Sequence, residues 1–181
     1  MRNLVIVISI LMFISMNAIA KYSINIETYS GQTASDGWDK DKVNKFIKKA
    51  GNISLMEVKA GQLALQNSSS QQVRDFAQIL VQDYSASNQK LTSTIVHLES
   101  DVPTTLEGEY QTKIDRLSNV SATFDKEYID MVVNDHKDAI SEFEKALENV
   151  KDPALKSWID KTLTMIRRHS DEAQNIKNQL K

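Results

Sequence analysis

Four side chains combine ligand chemistry with helical positions meant for burial: Glu57, Tyr84, His136 and His169. A carboxylate, a phenol and two imidazoles make a donor set for a borderline transition metal such as Fe, Mn, Zn or Cu. The same four groups can instead close on one another as a hydrogen-bonded network, which rigidifies a core without doing chemistry. The chain contains no cysteine, so disulfides, zinc thiolates and iron–sulfur clusters are excluded, and any metal must use nitrogen and oxygen donors. Other chemistries lack their motifs. There is no Gly-x-Ser-x-Gly nucleophile turn, no Gly-rich phosphate loop and no His-Glu-x-x-His. No residue is assigned a catalytic role, and the pattern leans away from an enzyme.

The elements that must carry these residues are helices. From Ala122 to Leu147, the apolar residues Phe124, Tyr128, Val132, Ala139, Phe143 and Leu147 recur at steps of three and four. That spacing gives one buried helical face, and His136 lies on it, one turn after Val132. A first helix beginning near Asp39 or Asp41 carries Phe46, Ala50, Ser54, Glu57, Gly61 and Ala64 on its inner face. Its small residues allow close approach of a neighbour. Asn67 to Ser70 is a polar turn, and Ser69 with Gln72 has the spacing of a capping box. A second helix places Phe76, Leu80, Tyr84, Ser87 and Leu91 inward, with Asp83 at the edge of that face and His97 outside it. Pro103 breaks the pattern, and Leu106, Tyr110, Ile114 and Leu117 mark a short amphipathic helix within a long connection. Asp152-Pro153 is a start signal for the last helix, which turns Trp158, Ile159, Thr162, Ile166, His169 and Ala173 inward. The fold expected is all-α, a four-helix bundle over residues 39–181 whose long second connection carries a short helix.

Helical rise sets the heights. At 1.5 Å per residue, Glu57 lies about 14 Å before the first hairpin turn and Tyr84 about 21 Å after it. His136 lies about 21 Å before the second turn and His169 about 25 Å after it. Both pairs are level near the middle of the helices, where bundles build metal sites. This level match holds for up-down-up-down and crossover topologies alike.

Residues 1–20 read as a signal peptide. Arg2 supplies a positive start, Leu4 to Ser15 an apolar run, and Ala18-Ile19-Ala20 a small-x-small cleavage site. The mature chain would begin at Lys21 and be periplasmic or secreted, the alternative being an uncleaved membrane anchor. Residues 21–38 form a polar, flexible lead-in from which Trp38 is expected to dock on the body. Nothing after the first twenty residues is apolar enough to span a membrane. The formal charge of −2, evenly mixed along the chain, argues against nucleic acid or an anionic membrane as the main partner.

The runs FIKKAGNISLMEVKAGQLAL, VRDFAQILVQDY, FDKEYIDMVVNDHKDAISEFEKAL and DPALKSWIDKTLTMIRRH resemble, in that order, the bacterial domain of unknown function 4142 family. The similarity covers most of the stretch from Val43 to Ile176. The resemblance implies an exported, ferritin-like four-helix bundle whose biochemical role is not established. It also implies that Glu57, His136 and His169 are recurrent inward polar positions. The chain departs from the family in the second helix, where Asp83-Tyr84 stands in place of the usual Asp-His. Tyr ligates ferric iron as a phenolate and serves Zn or Mn less well. The di-iron Glu-x-x-His motif is also missing, since Val133 and Ile166 stand where its glutamates would be. Two readings follow: an exported bundle holding one transition metal and acting in envelope stress or metal handling, or a non-catalytic binding or scaffold protein of the envelope with a structural polar core.

Overall fold

The computed structural model describes residues 37–180. The expected signal peptide and all but the last two residues of the lead-in lie outside this range. Five α-helices follow in order: α1 Lys40–Asn67, α2 Gln71–Thr94, α3 Gly108–Ser118, α4 Phe124–Asn149 and α5 Pro153–Gln179. Among the described residues there is no strand, and no helix is long and apolar enough to cross a membrane.

The starts of the long helices are set by short polar side chains. Asp39 caps α1, its Oδ1 accepting from Lys42 N at 2.8 Å. Asp152 caps α5 in the same way, accepting from Leu155 N at 2.7 Å, with Pro153 in the first turn. Both satisfy amide groups that a helix start otherwise leaves unpaired. At α2 the cap falls one residue later than the Ser69–Gln72 spacing predicts. Ser70 Oγ accepts from Val73 N, while Ser69 Oγ donates to Asp125 Oδ2 at 2.7 Å and Ser70 N to the same oxygen at 3.1 Å. The carboxylate at the start of α4 outcompetes the local box, because it accepts two hydrogen bonds at once.

These contacts also fix the topology. The start of α2 touches the start of α4 through Asp125, so α2 and α4 run parallel. Trp38 N, just before α1, donates to Asn149 O at the end of α4, so α1 and α4 are antiparallel. Gln72 at the start of α2 meets Gln179 at the end of α5, and His97, just past α2, meets Asp152 at the start of α5. Around the bundle the order is therefore α1, α2, α5, α4, with α2 facing α4 across a diagonal. A parallel α2–α4 pair requires a connection that travels the length of the bundle. Residues 95–123 do this. They pass over Gly51, where an added Cβ would lie 2.7 Å from Pro103 Cδ and 2.8 Å from Val102 Cγ1. Asn52 Oδ1 anchors the strap by accepting from Glu107 N at 3.1 Å. Helix α3 then lies on α1 and α4 through Ile114 and Leu117.

The core runs the full height of the bundle. At one end Phe46 meets Phe143 edge-on at 5.2 Å and Phe143 meets Trp158 at 5.7 Å. Trp38 docks on Phe46 at 5.7 Å, as expected. Leu80, Ile129, Leu155 and Ile159 are fully buried along its length, each contributing about 1.5–3 kcal/mol by leaving water. Glu57, Tyr84, His136 and His169 interrupt this apolar interior.

Candidate metal centre

All four sequence-predicted residues are buried at one level. Glu57 and Tyr84 are each 1% exposed, His136 is 0% and His169 is 1%. Their helices bring them there by the spacing already described: each sits on an apolar stripe, and α2 and α4 meet across the diagonal. The Tyr84, His136 and His169 rings form a nearly equilateral triangle, with centroids 5.8, 5.8 and 5.9 Å apart.

The hydrogen bonds fix both imidazole tautomers. His136 Nδ1 lies 2.9 Å from Val132 O; a carbonyl only accepts, so Nδ1 carries the proton and Nε2 the lone pair. Tyr84 Oη donates to that lone pair at 3.1 Å. His169 Nε2 lies 2.8 Å from Asp83 Oδ2 and therefore donates, leaving the lone pair on Nδ1. His169 Nδ1 is buried and has no hydrogen-bond partner.

Glu57 approaches from the other side. Its Oε1 is 3.5 Å from His136 Nδ1, whose proton is already given to Val132, and neither carboxyl oxygen has a hydrogen-bond partner. The hydroxyl of Tyr128, two turns before His136, is likewise buried and unpaired. The His136 ring thus separates two groups: Tyr84 on its Nε2 side and Glu57 on its Nδ1 side. Among the described residues, no three His, Asp or Glu side chains come together closely enough to hold a metal ion. The acceptor-bearing atoms near the ring triangle are two imidazole nitrogens and one phenol oxygen.

Burial sets the charge states. It pushes the Glu57 carboxyl well above its ordinary range, and the nearby Asp135 adds to this. Burial lowers His136 to about 3, assisted by His169, and lowers His169 against the opposing pull of Asp83. Tyr84 is raised by burial and then by Glu57. The resting cluster is therefore a neutral acid, two neutral imidazoles and a neutral phenol. Neutral imidazole is the form that binds metals.

Sequence reasoning placed Asp83 only at the edge of the α2 face; the structure makes it the partner of His169. Its position next to Tyr84 was the available signal. Tyr128 was read as a core aromatic; its hydroxyl is a further unpaired polar group of the interior, its pKa raised by burial and then by Glu57. His97, expected outside the stripe, is exposed and bonded to Asp152 at 2.7 Å.

Comparison with known proteins agrees with this architecture. A crystal structure of a DUF305 fragment from Deinococcus radiodurans superposes with a TM-score of 0.68 at 10% identity, covering 80% of this chain and 99% of that one. At that identity the likeness concerns the fold alone. No curated protein matches the chain. The family model described as domain of unknown function (DUF4142) matches residues 29–176, and the chain accordingly belongs to the DUF4142 family.

Proposed function

We propose that this protein is an exported helical bundle that binds one transition-metal ion among Tyr84, His136 and His169, in the service of envelope stress or metal handling. One observation carries the reading: His169 Nδ1 is a buried lone pair with no partner, on a ring whose other nitrogen is held by a carboxylate. Metal-binding histidines have this arrangement, with the second nitrogen tied to a carboxylate or carbonyl. His136 has the same form, tied to Val132 O. The spacing also suits one ion. Two imidazoles bound to a single metal at about 2.0–2.1 Å place their ring centres roughly 5–6 Å apart, and here they are 5.9 Å apart. Tyr84 would supply a third donor by giving up its bond to His136. Glu57 stands behind the His136 ring as a neutral acid.

A second reading is favoured by the Tyr84–His136 bond, which already fills the Nε2 lone pair. In that case the cluster is a structural polar core of a non-catalytic scaffold. Thermal melts of tag-free protein with Fe, Mn, Zn or Cu separate the two. At a hundredfold excess over Kd, binding adds about 2.7 kcal/mol, a rise in melting temperature of roughly 5–10 °C for a domain of this size. His136→Ala should abolish the rise, and Tyr84→His should keep or increase it. If neither the wild type nor Tyr84→His responds to any of the four metals, the metal reading is wrong. Export is tested separately: the mature amino terminus in the native host should be Lys21, and an intact Met1 in the membrane fraction would overturn cleavage.

A further inference from the structure

The sides of the bundle are finished unequally. Helix α3 covers the α1–α4 side through Ile114 and Leu117, whereas the opposite side, between α2 and α5, carries an open groove of about 330 Å³. Ala86, Trp158 and Met165 give it an apolar wall. It runs at least from Ala154 to Met165, about 16 Å of helix. Its polar groups are mostly donors. Ser87 Oγ and Thr162 Oγ1 lie 3.1 Å apart; one proton serves that bond, and the other has no acceptor among the described residues. Trp158 Nε1 donates to Ser87 O at 3.1 Å, which holds the ring in the wall. Lys90 and Lys161 stand on the two rims, both exposed. Neither ammonium has a hydrogen bond or ion pair among the described residues. Asp83 is the one acidic side chain of the lining, and Arg168 at 2.7 Å already matches its charge. Helices α2 and α5 are antiparallel. Lys90, three residues beyond Ser87, and Lys161, one before Thr162, therefore differ in height by about 3 Å. The two rims present like charges at one level.

We propose that this groove binds a monomeric anionic amphiphile, a single alkyl chain ending in a carboxylate. The carboxylate offers one oxygen to each ammonium, and the spare hydroxyl proton of the Ser87–Thr162 pair lies at nearly the same height. The alkyl chain lies along Trp158 and Met165. Two lysines at one level repel each other, and a single anion between them relieves both. A cationic ligand meets the same two charges, with the Asp83 carboxylate already engaged. Small-ligand sites are mostly apolar with a few placed polar groups, and their volumes start at about 300 Å³. A groove at that lower end suits one alkyl chain and not the two of a phospholipid. The formal charge of −2 does not oppose this, because screening confines the attraction to about 8–10 Å around the lysines. Metal binding in the core plays no part in it.

In a Trp38→Phe background Trp158 is the sole tryptophan, and a chain laid against it changes its emission. The experiment titrates that protein with sodium decanoate, kept below its micelle concentration, in chelator at neutral pH. The emission change should saturate, with one decanoate bound per chain by calorimetry, and affinity should fall severalfold as salt is raised. Lys90→Gln combined with Lys161→Gln should weaken binding at least tenfold. Ala86→Phe, which fills the groove without changing its charge, should weaken it to a similar extent. All three substitutions fall at exposed positions, and thermal melts should show the variants as stable as the parent. Acetate has the head without the chain, and decyltrimethylammonium has the chain without the anion; neither should change the emission. Equal binding by the lysine variant or by decyltrimethylammonium would reduce the groove to an apolar patch and overturn the proposal. Decanoate binding that leaves Trp158 emission unchanged would place the site elsewhere. A response to phosphatidylglycerol vesicles with none to monomeric decanoate would make the partner a bilayer surface, which overturns it equally.

Discussion

Replacing Glu57 by Gln tests the charge state of the core most directly. The carboxyl is fully buried, bonded to nothing and 3.5 Å from a histidine that is itself neutral. Burial raises its pKa above the 4.5 of a free glutamate, so the folded chain holds a proton that the unfolded chain releases. A raised carboxyl pKa contributes stability that is complete below about pH 4.5 and is lost as pH rises toward the folded value. The slope for one proton is about 1.4 kcal/mol per pH unit. Glutamine has nearly the same shape and never titrates, so Glu57→Gln escapes this loss. In metal-free protein kept in chelator, urea unfolding at a series of pH values should show the variant gaining on the wild type by about 1.4 kcal/mol per unit above pH 4.5. Any fixed difference in amide packing shifts the whole curve and leaves its slope intact, and groups common to both proteins cancel. A buried Glu57–His136 ion pair would reverse the sign. The variant would then strand an imidazolium, at a cost of about 3–5 kcal/mol near neutrality, and would show no Glu57-linked gain above pH 4.5, where a paired carboxylate is ionised folded and unfolded alike. That result would refute the neutral cluster.

Three further outcomes follow from the same geometry. His136, lowered to about 3 from 6.5, binds fewer protons folded than unfolded, so in metal-free protein this ring alone contributes a loss of about 1.4 kcal/mol per unit as pH falls below 6.5, opposing the Glu57 contribution above pH 4.5. Equilibrium unfolding of His136→Gln should lack that component, and an unchanged acid slope would show the ring to be protonated or exposed. Gly61→Ala should destabilise the protein by about 1–3 kcal/mol in urea unfolding, although alanine favours a helix by about 1 kcal/mol. Its Cβ would lie 2.6 Å from Val81 Cγ2 and 3.1 Å from Ala77 O, forcing α1 and α2 apart, and a more stable variant would contradict that packing. Asp152→Ala should cost about 0.5–2 kcal/mol through loss of the α5 cap, measured by thermal melts, whereas His97→Ala should cost less than 1 kcal/mol, as exposed ion pairs do. The hydrogen bond from His97 is the main reason the Asp152 carboxyl lies below its ordinary range, so the cap should survive until pH falls below about 3.8. Equal losses for the two variants would place the stabilisation in the His97 contact instead of the cap.

Local patterning made much of this protein legible in advance. The three-and-four spacing of Phe124, Tyr128, Val132 and Phe143 marks α4, and Asp152-Pro153 marks the start of α5, because helix periodicity and end chemistry are properties of neighbouring residues. The same periodicity puts Glu57, Tyr84, His136 and His169 on inner faces. Counting 1.5 Å per residue puts them at one height. The α2 cap shows where such reasoning stops: Ser69 and Gln72 have the right spacing, yet Asp125, more than fifty residues away, takes the Ser69 hydroxyl.

Chain direction within the bundle was not in the pattern, since equal heights suit either topology. The Ser70–Asp125 and Trp38–Asn149 contacts decide it, making α2 and α4 parallel and sending the connection along the bundle. The pairing within the cluster was equally out of reach. Periodicity fixes the face on which a side chain lies, to within about one residue step, but not which atom meets which. Whether His136 turns Nε2 toward Tyr84 or Glu57 depends on rotamers and on the competing claim of Val132 O. Whether Asp83, at the margin of its stripe, points to solvent or to His169 depends on how α2 and α5 are rotated against each other. Those choices are made by packing between helices distant in sequence, and only the tertiary structure contains them.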